Sequence, residues 1–197
     1  MVLRAYLIPA LVALVLAGCG GEDWRTTDIS ERMPALDFDL MNEDGQAVTW
    51  DDYAGKPTLM FFGYTHCPDV CPTTLAQLML SIRKLDPALR DDLQVLFISV
   101  DPKRDTPEIL KTYTDAFGPQ FIGLTGTKAQ IDAVTNRYRV TYTLGDPDAN
   151  GNYDVTHSSA VFAFRGDGKP AFLAIQSDPP SAITGDINTL VRESQGG

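Results

Sequence analysis

The sequence predicts an α/β domain with a central mixed sheet flanked by helices. Residues 59–62 and 95–100 are apolar runs without polar alternation, the composition of strands covered on both faces. Between them, apolar residues recur at helical spacing from Leu75 to Leu85. Strand, helix and strand in this order indicate parallel pairing at the centre of the sheet. The length of 197 residues suits one domain with a sizeable core.

The N-terminus is typical of a targeting segment. Arg4 precedes an apolar run over residues 7–17, which is too short for a convincing membrane span. The run ends at Leu-Ala-Gly-Cys, residues 16–19, which looks like a bacterial lipoprotein cleavage box. We expect residues 1–18 to be a signal peptide and Cys19 to carry a lipid that tethers the protein to a membrane on the exported side. An ordinary signal peptide with a chance cysteine is the alternative.

The next segment leads from the membrane to the domain. Residues 20–33 are polar and lack periodicity, so residues 19–33 are expected to be a lipid anchor and flexible linker. The folded domain is expected over residues 34–197. It opens with alternating apolar residues at 36, 38 and 40, a turn at 42–45 and a returning strand, which together predict an N-terminal β-hairpin.

Cap residues and turns position the later elements. Pro72 is expected at the first position of the helix that runs to Leu85. Thr106 with Pro107 begins a second helix that ends near Gly118. The remaining predicted elements are a strand over 121–124, a helix opened by a capping box at Thr127 and Gln130, strands over 161–164 and 172–175 joined by a turn, and a last helix from about residue 181.

Cys67 and Cys71 lie where the first strand leads into the first helix. Amides at a helix N-terminus carry partial positive charge and favour a thiolate. Residues four apart face the same side, so the two sulfurs can form a disulfide or bind one soft metal ion together. A purely structural disulfide is disfavoured because such bonds usually close longer loops. Assigning Cys19 to lipid leaves these two cysteines as a matched pair.

The motif Gly-Tyr-Thr-His-Cys-Pro-Asp-Val-Cys-Pro-Thr-Thr, residues 63–74, resembles the signature of the Sco/SenC family. Residues 101–107 also resemble a loop of that family, whose members are thioredoxin-like copper proteins associated with assembly of cytochrome c oxidase. The family pairs Cys-x-x-x-Cys with one distant histidine. The resemblance therefore implies a thioredoxin-like fold, copper as cofactor, and Cys67, Cys71 and His157 as its ligands. It also places His157 where redoxin folds carry a proline facing the thiols.

Two thiolates and one imidazole suit Cu(I), and the same set can hold Cu(II) with an added ligand. Zinc usually takes a fourth ligand, and none is obvious. His66 is a weaker candidate, and the sulfurs of Met60 and Met79 fall on apolar faces that favour core packing. Residues 146–157 begin like a calcium loop, but His157 occupies the place of the bidentate glutamate, so we expect a surface turn.

Together with the expected exported, lipidated N-terminus, the resemblance implies a membrane-tethered copper chaperone or assembly factor for the CuA centre of cytochrome c oxidase. Its expected partners are the copper-bearing subunit of the oxidase and a periplasmic copper donor or thiol reductant. Oxidation of the redox-active cysteine pair would release the metal. The alternatives are a thiol-disulfide oxidoreductase, which the Cys-x-x-x-Cys spacing and His157 disfavour, and a copper sensor.

The charge of the chain argues against one class of partner. The net charge is −10 and the pI is about 4.5. Such a surface repels nucleic acid, and no basic patch offsets it. We therefore expect no nucleic-acid partner.

Overall fold

The computed structural model describes residues 23–148 and 153–196. The predicted signal peptide and the lipidation site at Cys19 lie outside the described residues. In the part that is described, no helix has both the length and the apolar character needed to cross a membrane.

The described ranges contain a mixture of short strands and helices. The strands are β1 (Thr27–Asp28), β2 (Asp39–Asn42), β3 (Ala47–Thr49), β4 (Thr58–Gly63), β5 (Gln94–Ser99), β6 (Phe121–Thr125), β7 (Tyr142–Leu144), β8 (Val155–His157), β9 (Val161–Phe164) and β10 (Pro170–Ala174). The α-helices are α1 (Val70–Arg83), α2 (Pro107–Asp115), α3 (Lys128–Arg137) and α4 (Pro180–Glu193), with 3-10 helices at Trp50–Tyr53 and Pro87–Asp92.

Eight of these strands form one mixed sheet in the order β1-β10-β9-β4-β5-β6-β2-β3. Strand β5 pairs in parallel with β4 and β6, whereas β9 and β2 join the sheet antiparallel. The predicted α/β class and the N-terminal hairpin of β2 and β3 are confirmed. The cap residues Thr106 and Thr127 also begin α2 and α3 as predicted.

The core is centred on β4 and β5, in which every residue is buried. Their register pairs Phe61 with Phe97 and Gly63 with Ser99. Parallel strands in this register end at the same edge of the sheet. The segments that follow them, residues 64–69 and 100–106, therefore lie side by side, and this edge carries the site described below.

Helix α1 begins at Val70, two residues before the expected start at Pro72. Asp69 is the residue before the helix, and its side chain makes no capping hydrogen bond. Proline is tolerated within the first turn because the N–H groups there have no intrahelical acceptor. The shift has a chemical consequence: Cys71 lies inside the first turn of the helix and Cys67 lies outside it.

The structure corrects the expectation of a flexible linker up to Met33. Strand β1 pairs with β10, and Ile29 is buried. Arg25 and Thr26 immediately precede β1. Their N–H groups donate hydrogen bonds at 3.0 and 2.9 Å to the buried carboxylate of Asp186. A strand of two residues is too short to show alternation, so the sequence pattern missed it.

Strands β7 and β8 form a separate two-stranded antiparallel sheet that the sequence did not predict. Its register pairs Tyr142 with His157, the last residue of β8. Each strand has three residues. Residues 149–152 of the calcium-like segment lie outside the described ranges.

Candidate metal centre

Cys67 lies in the turn between β4 and α1. Its N–H donates to the carbonyl of Tyr64 at 3.2 Å, which closes the turn. Its sulfur accepts a hydrogen bond from the N–H of Cys71 at 3.4 Å. The side of this turn is open to solvent, because Pro68 and Asp69 are exposed and Cys67 itself keeps 9% of its surface.

Cys71 is completely buried behind Cys67. Gly63 makes room for it, because a Cβ at position 63 would lie 2.7 Å from Cys71 Sγ and 2.7 Å from the ring of Phe97. Burial raises the pKa of the Cys71 thiol well above its ordinary value, and the neighbouring Cys67 acts in the same direction. Removal of its proton therefore requires a compensating positive charge, which a metal ion supplies.

His157 brings the third donor to the thiols. Its Nε2 lies 3.3 Å from Cys71 Sγ, and its Nδ1 lies 2.8 Å from the carbonyl oxygen of Ser158. A carbonyl only accepts, so Nδ1 carries the hydrogen, and in the neutral ring the lone pair of Nε2 faces the sulfur. The rings of Tyr64 and Phe61 make T-shaped contacts with the imidazole, at centroid distances of 5.7 and 6.0 Å, and restrict its rotation.

The structure brings together Cys67, Cys71 and His157, whose ligand atoms all lie within 4.8 Å of one another. The two cysteine sulfurs can bind a metal as thiolates or form a disulfide with each other. The two arrangements exclude one another because the disulfide has no thiolate left to bind the metal. His66 is not part of this group: its side chain is 52% exposed and lies 3.8 Å from Asp105. Met60 is buried in the core and Met79 packs against it, as expected.

Asp105 organises the turn that carries Cys67. Its carboxylate is fully buried and accepts hydrogen bonds from the N–H and hydroxyl of Thr65 at 3.0 and 2.6 Å. The hydroxyl of Ser99 donates to the same carboxylate at 2.6 Å. Sequence reasoning noted residues 101–107 only as a family resemblance and gave Asp105 no role. An acidic residue shortly after a fully apolar strand was the available signal.

The same loop has a second buried carboxylate at Asp101. It accepts hydrogen bonds from Arg104 Nε and, at 2.6 Å, from the hydroxyl of Tyr153. The guanidinium carbon of Arg104 lies 3.7 Å from the centroid of the Tyr153 ring. Burial and the Asp101 carboxylate raise the pKa of Tyr153 to about 12, so its hydroxyl stays a donor at neutral pH.

Residues 28–192 match the family model described as SCO1/SenC, a range that contains all three clustered donors. The chain belongs to the SCO1/SenC family. Its sheet is the thioredoxin-like arrangement that the resemblance implied.

Two curated members of the SCO1/SenC family show the extent of the match. Human "Protein SCO1 homolog, mitochondrial" is 40% identical over 156 residues, which are 79% of this chain and 52% of that protein. The "SCO2-like protein" of Rickettsia felis is 41% identical over 134 residues, 68% of this chain and 65% of that protein. The chain thus spans about half to two thirds of the length of these relatives.

Two solved structures of the SCO1/SenC family have a similar backbone. Bradyrhizobium japonicum ScoI with copper bound has a TM-score of 0.70 and 37% identity, covering 79% of this chain and 98% of that one. Yeast Sco1 with copper bound has a TM-score of 0.73 and 31% identity, covering 81% of this chain and 90% of that one. Both of these relatives were solved with copper bound.

Proposed function

We propose that this SCO1/SenC protein binds one copper ion through Cys67 Sγ, Cys71 Sγ and His157 Nε2. The convergence of the three atoms within 4.8 Å carries the proposal. Two thiolates and an imidazole suit Cu(I), whereas a structural zinc site takes four ligands, and within the described residues no fourth His, Cys, Asp or Glu joins the cluster. The copper-bound structures from Bradyrhizobium japonicum and yeast support the choice of metal.

The copper is cargo in this proposal. The protein acts as a copper chaperone or assembly factor for the CuA centre of cytochrome c oxidase, as the family resemblance implies. It receives the ion from a periplasmic donor and transfers it to the copper-bearing subunit of the oxidase. Exposure of the turn at Pro68 and Asp69 gives a partner access to Cys67 from one side.

We also propose that a lipid on Cys19 tethers the domain to the outer face of the cell membrane after removal of residues 1–18. A "SCO1/SenC family lipoprotein" from Bacillus anthracis supports this form of anchor, with 25% identity and a TM-score of 0.67 over 85% of this chain and 99% of that one. In cells that express the full chain, Cys19→Ser should move the protein from the membrane fraction to the soluble fraction. Retention of the variant at the membrane would refute the lipid anchor.

Copper binding and redox state are linked because both use the same two sulfurs. Copper binds the protein in which both cysteines are thiolates, and formation of a Cys67–Cys71 disulfide removes both sulfur ligands. An anaerobic Cu(I) titration against a chromophoric chelator tests the proposal. Reduced protein should take one equivalent and oxidised protein none, and His157→Ala should weaken binding. Equal uptake by both redox forms would overturn it.

Thiol-disulfide oxidoreductase activity is the second candidate, and the hydrogen bond from the Cys71 N–H to Cys67 Sγ favours it. Cys67 would attack a disulfide of an exported protein as the thiolate, forming a mixed disulfide. The Cys71 thiol would then pass its proton to the target thiolate that the first attack released, and its sulfur would displace the second target sulfur. The products are a Cys67–Cys71 disulfide and a target dithiol that has gained two electrons and two protons. Rapid insulin reduction by copper-free protein would favour this candidate, and its absence would disfavour it.

A further inference from the structure

The histidine of the cluster lies on an element that is not part of the main sheet. Strand β8 pairs with β7, and among the described residues it has no ladder with the eight-stranded sheet. Backbone pairing with the main sheet therefore does not fix the distance between His157 and the thiols. Other contacts must hold β8 in place, and burial of Val155 supplies one of them.

Tyr153, two residues before β8, supplies contacts of a more specific kind. Its hydroxyl donates to Asp101 Oδ1 at 2.6 Å, and its carbonyl accepts from Arg104 Nη1 at 3.1 Å. The Arg104 guanidinium also lies over the tyrosine ring, 3.7 Å from its centroid. Backbone, ring and hydroxyl of Tyr153 are thus all held by one short loop.

That loop also holds the other side of the cluster. At its far end, Asp105 accepts the N–H and hydroxyl of Thr65 in the turn that carries Cys67. Residues 101–105 therefore contact both the segment before His157 and the segment before Cys67. Through these contacts, one loop connects the segment before the imidazole with the turn that carries Cys67.

We propose that Tyr153 is a positioning residue for His157, holding β8 through Asp101 and Arg104 so that the imidazole faces the thiols. This inference rests on the copper ligand set proposed above. Partners of metal ligands affect affinity through orientation, and their loss typically costs about 10- to 100-fold. Tyr153 does not contact the ligand itself and acts on His157 only through β8. We therefore expect an effect near the lower end of that range.

The test is a double-mutant cycle for Cu(I) affinity in the full domain. Tyr153→Phe removes only the hydroxyl and should weaken Cu(I) binding by about 10-fold. In the His157→Ala background the same change should have no effect, because the residue acts through the imidazole. A purely structural role would weaken binding equally in both backgrounds. Tyr138→Phe, which also removes a hydrogen-bonded tyrosine hydroxyl, should leave affinity unchanged.

A metal-free readout separates this inference from the ligand assignment. The ring resonances of His157 in reduced apoprotein should shift in Tyr153→Phe and stay unchanged in Tyr138→Phe. If His157→Ala does not weaken copper binding, the proposed ligand set fails, and these resonances alone decide the role of Tyr153. Unshifted resonances, or an equal loss of affinity in both backgrounds, would overturn the inference. Should Tyr153→Phe not fold, Arg104→Lys removes the flat stacking surface and takes its place in the test.

Discussion

His157 Nε2 lies 3.3 Å from Cys71 Sγ across 86 positions of sequence. The contact joins the fully buried cysteine, and not the outer one, to the imidazole. The site therefore has an inner pair, Cys71 and His157, and an outer thiol, Cys67, next to exposed residues of the turn. A metal ion or a partner thiol approaching from solvent meets Cys67 first.

This order predicts a difference in thiol reactivity. Cys71→Ser leaves the outer thiol, and Cys67→Ser leaves the inner one, whose pKa is raised by burial. Each unit by which burial raises the pKa of Cys71 lowers its thiolate fraction about tenfold at neutral pH. Cys67 should therefore be alkylated at least about tenfold faster than Cys71. Mass spectrometry of iodoacetamide-treated apoprotein measures both rates. Equal rates would contradict the inner and outer assignment.

Gly63→Ala should disturb the site through packing. The added Cβ would lie 2.7 Å from both Cys71 Sγ and the Phe97 ring, so the sulfur must move. We expect a loss of about 1–3 kcal/mol in the free energy of unfolding and weaker Cu(I) binding. Gly123→Ala is the matched control, since its Cβ would lie 2.8 Å from Leu110 Cβ in helix α2. The control should lose stability but keep its copper affinity, and an equal affinity loss in both would refute the explanation.

Asp105→Asn should loosen the turn that carries Cys67. The buried carboxylate accepts three hydrogen bonds from Thr65 and Ser99, and an amide replaces one of its acceptors with a donor. We expect about 1–3 kcal/mol of destabilisation in urea unfolding, with lower copper affinity. Asp69→Asn, at an exposed carboxylate near the same thiols, should change stability by less than about 0.5 kcal/mol. Similar values for the two variants would count against this role of Asp105.

Burial of Cys71 also predicts a pH dependence of stability in reduced apoprotein. The folded state raises the pKa of this thiol above the ordinary value of 9.0, so it keeps a proton that the unfolded chain releases. The contribution is complete below that ordinary pKa and is lost as pH rises above it, by up to about 1.4 kcal/mol per pH unit. Urea midpoints measured at about pH 8 and pH 10 should fall less steeply in Cys71→Ala. Identical slopes would show that Cys71 does not cause the loss.

Elements with strong local signals were predictable from the sequence. The apolar runs of β4 and β5 and the caps at Thr106 and Thr127 are local features that specify their elements directly. Strands β1, β7 and β8 are short and depend on their pairing partners, so no pattern in their own residues marks them. Pairing with strands elsewhere in the fold determines that these segments are extended.

The residues of the site likewise fall into those that the sequence predicted and those that only the structure revealed. Spacing alone placed Cys67 and Cys71 together at the start of a helix, whereas His157 was singled out by resemblance to a family. The roles of Asp101, Asp105 and Tyr153 depend on contacts between segments far apart in the sequence. Asp105 contacts Thr65, and Asp101 contacts Tyr153. No periodicity records such contacts, so they became visible only in the structure.

X-ray absorption spectroscopy of the Cu(I)-loaded protein tests the central claim most directly, because it identifies the atoms bound to the metal. The wild-type spectrum should fit two sulfurs and one nitrogen, and the nitrogen contribution should disappear in His157→Ala. A wild-type spectrum with sulfur ligands alone, unchanged by His157→Ala, would contradict the assignment of Cys67, Cys71 and His157 as the copper site.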